Sequence, residues 1–251
     1  MTMTIEYTER QRTEQIYHDQ KFSEPGSDKA TIPTAATRQF WDSIGQPQGQ
    51  TILDFGCGDG WLSVRLAKLG NRVHAFDISR VLIGRATELA RKSNVADRIS
   101  FKEMAAENLA YPDDHFDLVI GTSILHHTDL DVTLRRLRDV LKKTGRAVFI
   151  EPLNQNPVLR AWRLLTPWRR SRTERALTRE DLQLIHRLFP ASRFRYFCFT
   201  SMFGEGLLLF APGNALLRRV SERLAAFDDR LLAKFPALGR YSAVVVLEMR
   251  K

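Results

Sequence analysis

The sequence predicts an α/β fold with a mostly parallel sheet covered by helices on both faces. Three observations support this. Short apolar runs alternate with amphipathic helical patterns from about residue 36 to residue 152. The run from Phe116 to Thr122 is almost continuously apolar, as expected for a central parallel strand. A glycine-rich turn follows the first apolar run, which begins at Thr51. Strands that alternate with helices in this way form parallel sheets with helices on both faces.

The stretch from Thr51 to Ser79 predicts a strand, a tight turn, a helix and a second strand. Its turn contains Gly56, Gly58 and Gly60. Glycine suits a turn of this kind because it adopts positive φ and carries no side chain that would obstruct a ligand. The helix predicted over residues 61–69 starts directly after the turn, so its free N–H groups favour an anionic group above it.

Two acidic residues frame this turn and indicate which ligand it binds. Asp54 lies two residues before the first glycine, where a carboxylate can receive a cationic amine. Asp77 ends the second strand, where it can accept hydrogen bonds from ribose hydroxyls. The G-x-G-x-G spacing differs by one residue from the G-x-G-x-x-G dinucleotide fingerprint. The combination predicts a nucleoside site with an amine, and the alternative is a structural turn beside a solvated Asp.

The remaining elements follow from periodicity and capping signals. Helices are predicted over residues 9–20, 38–44, 79–93, 130–141, 178–188 and 216–232, and strands over 99–102, 116–122, 147–151, 193–200 and 242–248. The pair Thr144-Gly145 is a typical helix stop. We interpret residues 1–35 as an N-terminal lid or arm, with a frayed terminus as the alternative. Residues 36–251 form one domain with cap insertions at about 153–178 and 202–240.

Composition limits the class of protein. A chain of 251 residues with 43% hydrophobic residues supports one sizeable α/β domain. Cys57 and Cys198 fit neither metal-ligand spacing nor a disulfide framework, so no metal is predicted. The sequence shows no signal-peptide pattern and no apolar run of about 18 residues. We therefore expect a cytoplasmic protein that can be peripheral to a membrane.

The net charge of +9 is concentrated between residues 156 and 195, which hold ten Arg against three acidic residues. Within this segment Arg160, Trp162 and Arg163 are candidate substrate contacts. One interpretation is a basic pocket for a carboxylate or phosphate, which an Arg fork binds well. A second is an interfacial helix that inserts Trp and Leu at a membrane edge. The third is a solvated basic face over an apolar cap.

The motif Asp54-Phe-Gly-Cys-Gly-Asp-Gly60 resembles the first motif of the class I S-adenosylmethionine-dependent methyltransferases. The similarity continues through residues 112–120, 124–127 and 141–152, and it covers roughly residues 36 to 152. The resemblance implies a Rossmann-like, seven-stranded, mostly parallel sheet with an antiparallel last strand. It also implies S-adenosyl-L-methionine as the methyl donor, with S-adenosyl-L-homocysteine as the product.

The resemblance also implies roles for individual residues. Those it places around the cofactor are Asp54 near the amine, Gly56, Cys57, Gly58 and Gly60 at the methionine part, Asp77 at the ribose, Ile78 on the adenine face, Ala105, Ala106 and Glu107 at the adenine edge, and Thr122 beside the transferred methyl. Many family members carry Asp where Ala105 aligns, so backbone groups are expected to replace that contact.

Two histidines follow the fourth predicted strand, close to the expected position of the methyl group. His126 and His127 are candidate general bases, with His127 preferred, because histidine titrates near neutral pH. The alternative is that the pair packs against the following helix. His18 on the predicted lid and Glu151 at the end of the fifth strand are further candidates for substrate contact, and a structural hydrogen bond is the alternative for Glu151.

The function predicted from these features is methyl transfer from S-adenosylmethionine to O or N of a small, partly apolar metabolite, which the basic segment allows to be anionic. Such an enzyme would serve a biosynthetic or tailoring step. A lipid-like or prenylated acceptor at the membrane surface is the first alternative. RNA methylation and an inactive cofactor-binding scaffold are the others. The Thr122-Ser-Ile-Leu sequence lacks the Pro-rich motif of many base-modifying enzymes, which argues against a nucleic acid partner. The oligomeric state is left open.

Overall fold

A computed structural model describes residues 7–23, 33–166, 171, 173–208, 211 and 213–251. The helices are α1 Glu9–Lys21, α2 Thr34–Ile44, α3 Trp61–Lys68, α4 Arg80–Lys92, α5 Leu130–Val140, α6 Pro157–Leu165, α7 Arg179–Leu188, α8 Met202–Leu208 and α9 Ala215–Lys234. The strands are β1 Thr51–Phe55, β2 Arg72–Asp77, β3 Ile99–Glu103, β4 Phe116–Thr122, β5 Leu141–Pro152, β6 Arg193–Phe197 and β7 Val244–Arg250. Short 3₁₀ turns cover Ala96–Arg98, Ala106–Asn108, Leu125–His127 and Pro236–Tyr241.

The seven strands form one sheet in the order β3-β2-β1-β4-β5-β7-β6. All neighbours from β3 to β5 are parallel, and β7 is antiparallel to both β5 and β6. The predicted Rossmann-like sheet with an antiparallel last strand is therefore confirmed. In open sheets of this kind, ligands bind at the carboxyl ends of the strands.

Side chains that alternate along the strands build a core on each face of the sheet. In β4, Val119 belongs to one buried cluster, while its neighbours Leu118 and Ile120 belong to the other. The first cluster contains the inner faces of α5 and α7, and the second contains those of α2 and α3. Burial on both faces explains why β4 is almost wholly apolar in sequence.

Polar caps fix where several helices begin. Ser79 accepts a hydrogen bond from the backbone N–H of Leu82, which confirms the predicted cap of α4. Thr178 and Asp181 form a capping box at the start of α7. Thr8 and Gln11 form another at the start of α1, so this N-terminal helix has a defined first turn.

Gly145 has a different role from the one predicted. Helix α5 ends at Val140 and β5 begins at Leu141, so Gly145 lies inside a strand rather than at a helix stop. Leu141 is fully buried. A Cβ on Gly145 would lie 2.8 Å from the carbonyl oxygen of Phe116, so the glycine allows the two strands to approach closely.

The strand predicted over residues 193–200 is also shorter than expected. It ends at Phe197, because Cys198 adopts a positive φ of 62°. The N–H groups of Phe199, Thr200 and Ser201 then turn toward the buried carboxylate of Asp228. This network ties the end of β6 to α9. The division of the chain into an arm and a capped domain stays a prediction.

Candidate active site

A cavity of about 1210 Å³ opens at the carboxyl ends of β1, β2, β4 and β5. The glycine turn after β1, the ends of β2 and β4, and helix α1 supply most of its lining. Ligand pockets in proteins commonly enclose about 300–1,000 Å³. The cavity therefore has room for a nucleoside and a second small molecule.

The three glycines of the turn have different physical roles. Gly56, Gly58 and Gly60 all adopt positive φ, at 70°, 54° and 82°. A Cβ on Gly56 would lie 2.6 Å from Ile124, and one on Gly60 would lie 2.7 Å from Ala86. Gly58 has nothing within 4 Å of that position. The outer two glycines permit close packing, whereas Gly58 leaves open space at the cavity wall.

Asp77 lies in the cavity wall with its carboxylate held by the backbone. One oxygen accepts from the N–H of Gly58 and the other from the N–H of Ser79, each at 2.9 Å. Burial raises the pKa of this carboxyl, and the two hydrogen bonds oppose that effect. Each carboxylate oxygen can accept a further hydrogen bond, and the ribose contact that the resemblance assigns to Asp77 stays a prediction.

Asp54 lies at the end of β1, beneath the turn, and is not part of the cavity lining. Its side chain is fully buried, and one oxygen accepts from the hydroxyl of Ser63 at 2.5 Å. The other oxygen, Oδ1, has no hydrogen-bond partner among the described residues. Burial raises the pKa of this carboxyl to about 7. The unpaired oxygen of this buried acid is the feature that a nearby cationic group would satisfy, and the amine contact that the resemblance assigns to Asp54 stays a prediction.

The adenine-edge segment lies partly in the cavity. Ala106 and Ile78 line it, whereas Ala105 is buried outside the lining. Glu107 also lines the cavity, but its carboxylate already accepts hydrogen bonds from Arg10, from the side chain of Gln11 and from the backbone N–H of Asp129. Cys57 lines the turn, and burial raises the pKa of its thiol well above the ordinary value.

Glu151 supports the loop that follows β4. Its carboxylate is fully buried and accepts from the N–H groups of Ile124 and Leu125, at 2.9 and 2.8 Å. Its second oxygen lies 2.7 Å from Nδ1 of His126. His126 is itself buried but reaches the cavity wall. Glu151 therefore fixes His126 and this loop through hydrogen bonds. Such a structural hydrogen bond is the alternative to substrate contact that the sequence leaves open for Glu151.

His127 lies at the cavity wall above the end of β4, where Thr122 also contributes. Its Nδ1 lies 3.0 Å from a carboxylate oxygen of Glu14, on α1. Burial lowers the pKa of His127, His126 and His18 add to that effect, and Glu14 opposes it. A neutral imidazole in this position can accept a proton.

Glu14 is the functional candidate that the sequence did not indicate. It is buried, and its other oxygen accepts from the hydroxyls of Ser171 and Thr173. His18 lies one turn further along α1, with Nε2 3.6 Å from Glu14. The i, i+4 spacing of Glu14 and His18 was the only signal in the sequence, because the other partners come from distant segments.

Two of the predicted substrate contacts in the basic segment, Arg160 and Arg163, are not among the described residues that line the cavity. Arg160 is exposed, and Arg163 donates to the carbonyl of Leu153 at 2.9 Å and to Asn154 at 3.2 Å. Trp162 belongs to α6, but its side chain is outside the described part of the chain, as are residues 167–170 and 172. The role of this segment stays a prediction.

Two groups of described residues bring metal-ligating atoms within 4.8 Å of one another. One is Glu14, His18 and His127, and the other is His126, His127 and Glu174. Sequence spacing gave no sign of them, because their members lie far apart in the chain. Glu14 and His127 already hydrogen-bond each other. The expected absence of a metal stays a prediction.

An open α/β sheet with a glycine-rich turn after β1 and a carboxylate at the end of β2 defines a Rossmann-like nucleoside-binding protein. Residues 52–145 match the family model described as a methyltransferase domain. Together with the fold, this match supports the resemblance to the class I S-adenosylmethionine-dependent methyltransferases.

Several known proteins resemble this chain. The ubiquinone/menaquinone biosynthesis C-methyltransferase of Vibrio vulnificus is 32% identical over 114 residues, which are 44% of each chain. The 27-O-demethylrifamycin SV methyltransferase of Amycolatopsis mediterranei is 34% identical over 124 residues, or 47% of this chain and 46% of the relative. The match thus spans a little under half the length of these relatives.

A solved structure is similar over nearly the whole chain. Geranyl diphosphate C-methyltransferase from Streptomyces coelicolor A3(2), in complex with Mg²⁺, geranyl diphosphate and S-adenosyl-L-homocysteine, superposes with a TM-score of 0.67. The similarity covers 98% of this chain and all of that one, at 13% identity. At that level of identity, the likeness concerns the fold.

Proposed function

We propose that this protein transfers a methyl group from S-adenosylmethionine to a small-molecule acceptor. The observation that carries the proposal is the arrangement around the glycine turn. The backbone-held carboxylate of Asp77 lies on one side, the unpaired Oδ1 of Asp54 lies below, and an open wall at Gly58 faces a large cavity. In S-adenosylmethionine, the ribose hydroxyls would match Asp77, the cationic amine would match Asp54, and the methionine chain would lie close to the backbone at Gly58.

When bound, S-adenosylmethionine supplies an electrophilic methyl group. The protein's remaining tasks are to orient the acceptor and to accept any proton that the acceptor loses. We propose that His127 accepts this proton, because it lines the cavity and burial lowers its pKa. An acceptor O–H, N–H or activated C–H would lose its proton to the imidazole as the acceptor atom bonds to the methyl carbon, and the bond from that carbon to the sulfonium sulfur would break to leave the neutral thioether S-adenosylhomocysteine.

The cavity lining favours a partly apolar acceptor, because Tyr17, Phe22 and Phe40 provide aromatic surface. The sequence favoured O or N as the acceptor atom, whereas two proteins similar to this chain are named as C-methyltransferases. Methylation at carbon therefore stands beside methylation at O or N.

The proposal is tested in two stages. Calorimetry should show S-adenosylmethionine binding to the purified protein at one site, with the nicotinamide dinucleotides as negative controls. Incubation of the protein with methyl-labelled S-adenosylmethionine and a fractionated extract should then transfer label to a small molecule. Binding without any labelled product would favour the scaffold alternative, and absence of binding would contradict the proposal as a whole.

A second candidate, a lipid-like acceptor taken from a membrane surface, is favoured by the exposed apolar side chains of α6, α8 and α9. The most exposed are Leu164 and Leu165 on α6, at 81% and 70%, and Leu216 on α9, at 69%. On α8, Phe203 and Leu207 lie one turn apart and are more than half exposed. Helices with apolar residues exposed on one side and arginines nearby bind at lipid interfaces.

These helices are connected through direct contacts. The side-chain amide of Asn156, which caps α6, donates to Met202 at the start of α8 at 3.3 Å. Glu205 of α8 accepts from Ser221 of α9 at 2.7 Å. Exposed arginines such as Arg160 lie beside this surface. No helix within the described ranges has the length and hydrophobicity of a membrane-spanning segment.

Vesicle flotation tests this second candidate. We expect the protein to float with vesicles that contain phosphatidylglycerol and to stay behind with phosphatidylcholine vesicles. The double variant Leu164→Ser/Leu165→Ser should lose at least tenfold in vesicle binding, because it removes the most exposed apolar side chains. Leu69→Ser, at an exposed leucine after α3, is the matched control. Equal flotation of all three proteins would eliminate membrane docking through α6.

A further inference from the structure

Helix α1 contacts two parts of the site at once. Near the cofactor region, the side chain of Gln15 donates to the carbonyl of Ile78 at 3.1 Å and to Glu103 at 2.9 Å. One turn later, Asp19 accepts from the hydroxyl of Ser79 at 2.5 Å. The same helix also carries Glu14, which reaches His127.

The contact between Glu14 and His127 determines which imidazole nitrogen is available. Nδ1 lies 3.0 Å from the carboxylate and therefore carries the proton that the carboxylate accepts. Nε2 has no hydrogen bond to a described residue, and the side chain lines the cavity. An imidazole held in this tautomer presents the Nε2 lone pair to a ligand.

We propose that Glu14 is the positioning residue for His127, so that helix α1 orients the general base. This inference rests on the proposed function. Glu14 itself touches no reacting atom, and it acts by holding the tautomer and ring orientation of the histidine. A carboxylate hydrogen-bonded to the far nitrogen of a histidine base has this effect in other enzymes.

The surroundings of Glu14 keep it ionised. Burial acts to raise its pKa, but hydrogen bonds from His127, His18 and Ser171 outweigh burial and hold the pKa well below the usual range. A charged carboxylate with several donors is a strong acceptor. The carboxylate also receives the hydroxyl of Thr173, so it is positioned from α1 and from the segment that precedes α7.

The other charged and titratable groups around His127 act in different directions. His126 and His18 have ring centres 4.1 and 5.1 Å from it, and both disfavour an imidazolium. Glu14 favours it, and Arg10 donates to the backbone carbonyl of His127. Glu174 lies 3.9 Å from His126 rather than against His127 itself. Removing the charge of Glu14 should therefore lower the titration midpoint of His127.

The inference can be tested without knowing the acceptor. Full-length protein labelled with ¹⁵N at histidine would be titrated by NMR, and His127→Gln would identify the His127 signals. In the parent protein we expect the neutral imidazole to be protonated at Nδ1. In Glu14→Gln we expect a mixture of tautomers and a lower titration midpoint. Glu14→Asp should restore much of the parent behaviour, and Glu9→Gln, an exposed acid on the same helix, should change neither quantity.

S-adenosylmethionine calorimetry on the same proteins separates this inference from the proposed function. We expect the affinity of Glu14→Gln for S-adenosylmethionine to stay within about threefold of that of the parent, because Glu14 belongs neither to the glycine turn nor to the end of β2. An Nε2-protonated His127 in the parent, or an unchanged midpoint in Glu14→Gln, would overturn the positioning role. Stoichiometric Zn²⁺ that shifts the ring nitrogens of both His18 and His127 would also overturn it, since the cluster would then be a metal site. If the parent protein binds no S-adenosylmethionine, the proposed function fails whatever the NMR shows.

Discussion

The two halves of the cavity are built in different ways. In the cofactor half, residues 51–122, the decisive contacts join neighbours in sequence: Gly58 and Asp77 are 19 residues apart, and Asp54 and Ser63 are nine apart. In the acceptor half, formed by α1 and by the described part of residues 123–178, Glu14 contacts His127 and Ser171 across 113 and 157 residues. The first half is a local motif, and the second exists only in the folded chain.

This difference has a physical origin. The cofactor half depends on backbone geometry, namely positive φ in a turn and free N–H groups, and only a few residue types satisfy those demands. The acceptor half depends on side chains, and many pairs of residues can supply a carboxylate and an imidazole. It follows that the two halves should respond separately to substitution.

The largest expected effect is on the cofactor half. Asp77→Ala should lower the affinity for S-adenosylmethionine about 100-fold, because a charged acceptor that faces two hydroxyls contributes about 3 kcal/mol. Calorimetry measures the loss. Asp77 also accepts hydrogen bonds from the N–H groups of Gly58 and Ser79, so Asp77→Ala can weaken the fold as well as binding. A thermal melt of each variant therefore shows whether a lost affinity comes with a lost fold.

Asp97→Ala, at an exposed acid far from the cavity, is the control and should change neither measurement. If Asp77→Ala loses less than tenfold in affinity, or if Glu14→Gln loses as much as Asp77→Ala, the separation between the two halves is wrong.

The same contrast explains what could be predicted from the sequence. The order of strands and helices, the glycine turn and the cap at Ser79 follow from local signals, and the fold prediction is confirmed. At Gly145 the local pattern predicts a helix stop, which is wrong because the role of this glycine depends on a strand 29 residues away, where the carbonyl of Phe116 lies. Glu14 could not be predicted as a partner of His127, because no local pattern distinguishes it from a solvated acid on a polar helix.

The second expected effect concerns the pH dependence of stability. The contributions of Asp54 in the cofactor half and of Glu14 in the acceptor half to the free energy of unfolding change with pH in opposite directions. Burial raises the pKa of Asp54 from 3.8 to about 7 in the folded state. The native state then binds more protons than the unfolded state between about pH 4 and pH 7. The free energy of unfolding should therefore fall as the pH rises through this window. Asp54→Asn lacks this titrating group, so its stability relative to the parent should increase by about 2.6 kcal/mol between pH 5 and pH 8.

Glu14 in the acceptor half shows the reverse. Its pKa is lowered on folding, so its contribution is present above the unfolded-state pKa and is lost as the pH falls. Urea denaturation at several pH values distinguishes the two acids. Glu14→Gln should lose stability relative to the parent at high pH, and this loss should shrink as the pH falls. Asp54→Asn should gain stability relative to the parent at high pH, and this gain should also shrink as the pH falls. A pH-independent difference for both variants would show that neither acid is perturbed as described.

The smallest expected effect separates ligand contact from backbone strain. Gly58 and Gly49 both adopt positive φ, at 54° and 64°, and an added Cβ would meet nothing within 4 Å at either position. Gly58→Ala and Gly49→Ala should therefore destabilise the protein to a similar extent, by about 1 to 2 kcal/mol, because an L-residue with positive φ is strained. Only Gly58 lines the cavity, so only Gly58→Ala should weaken S-adenosylmethionine binding, by about tenfold. Equal affinities in the two variants would mean that the ligand does not approach the middle of the turn, and the site would then have to lie on the acceptor side of the cavity.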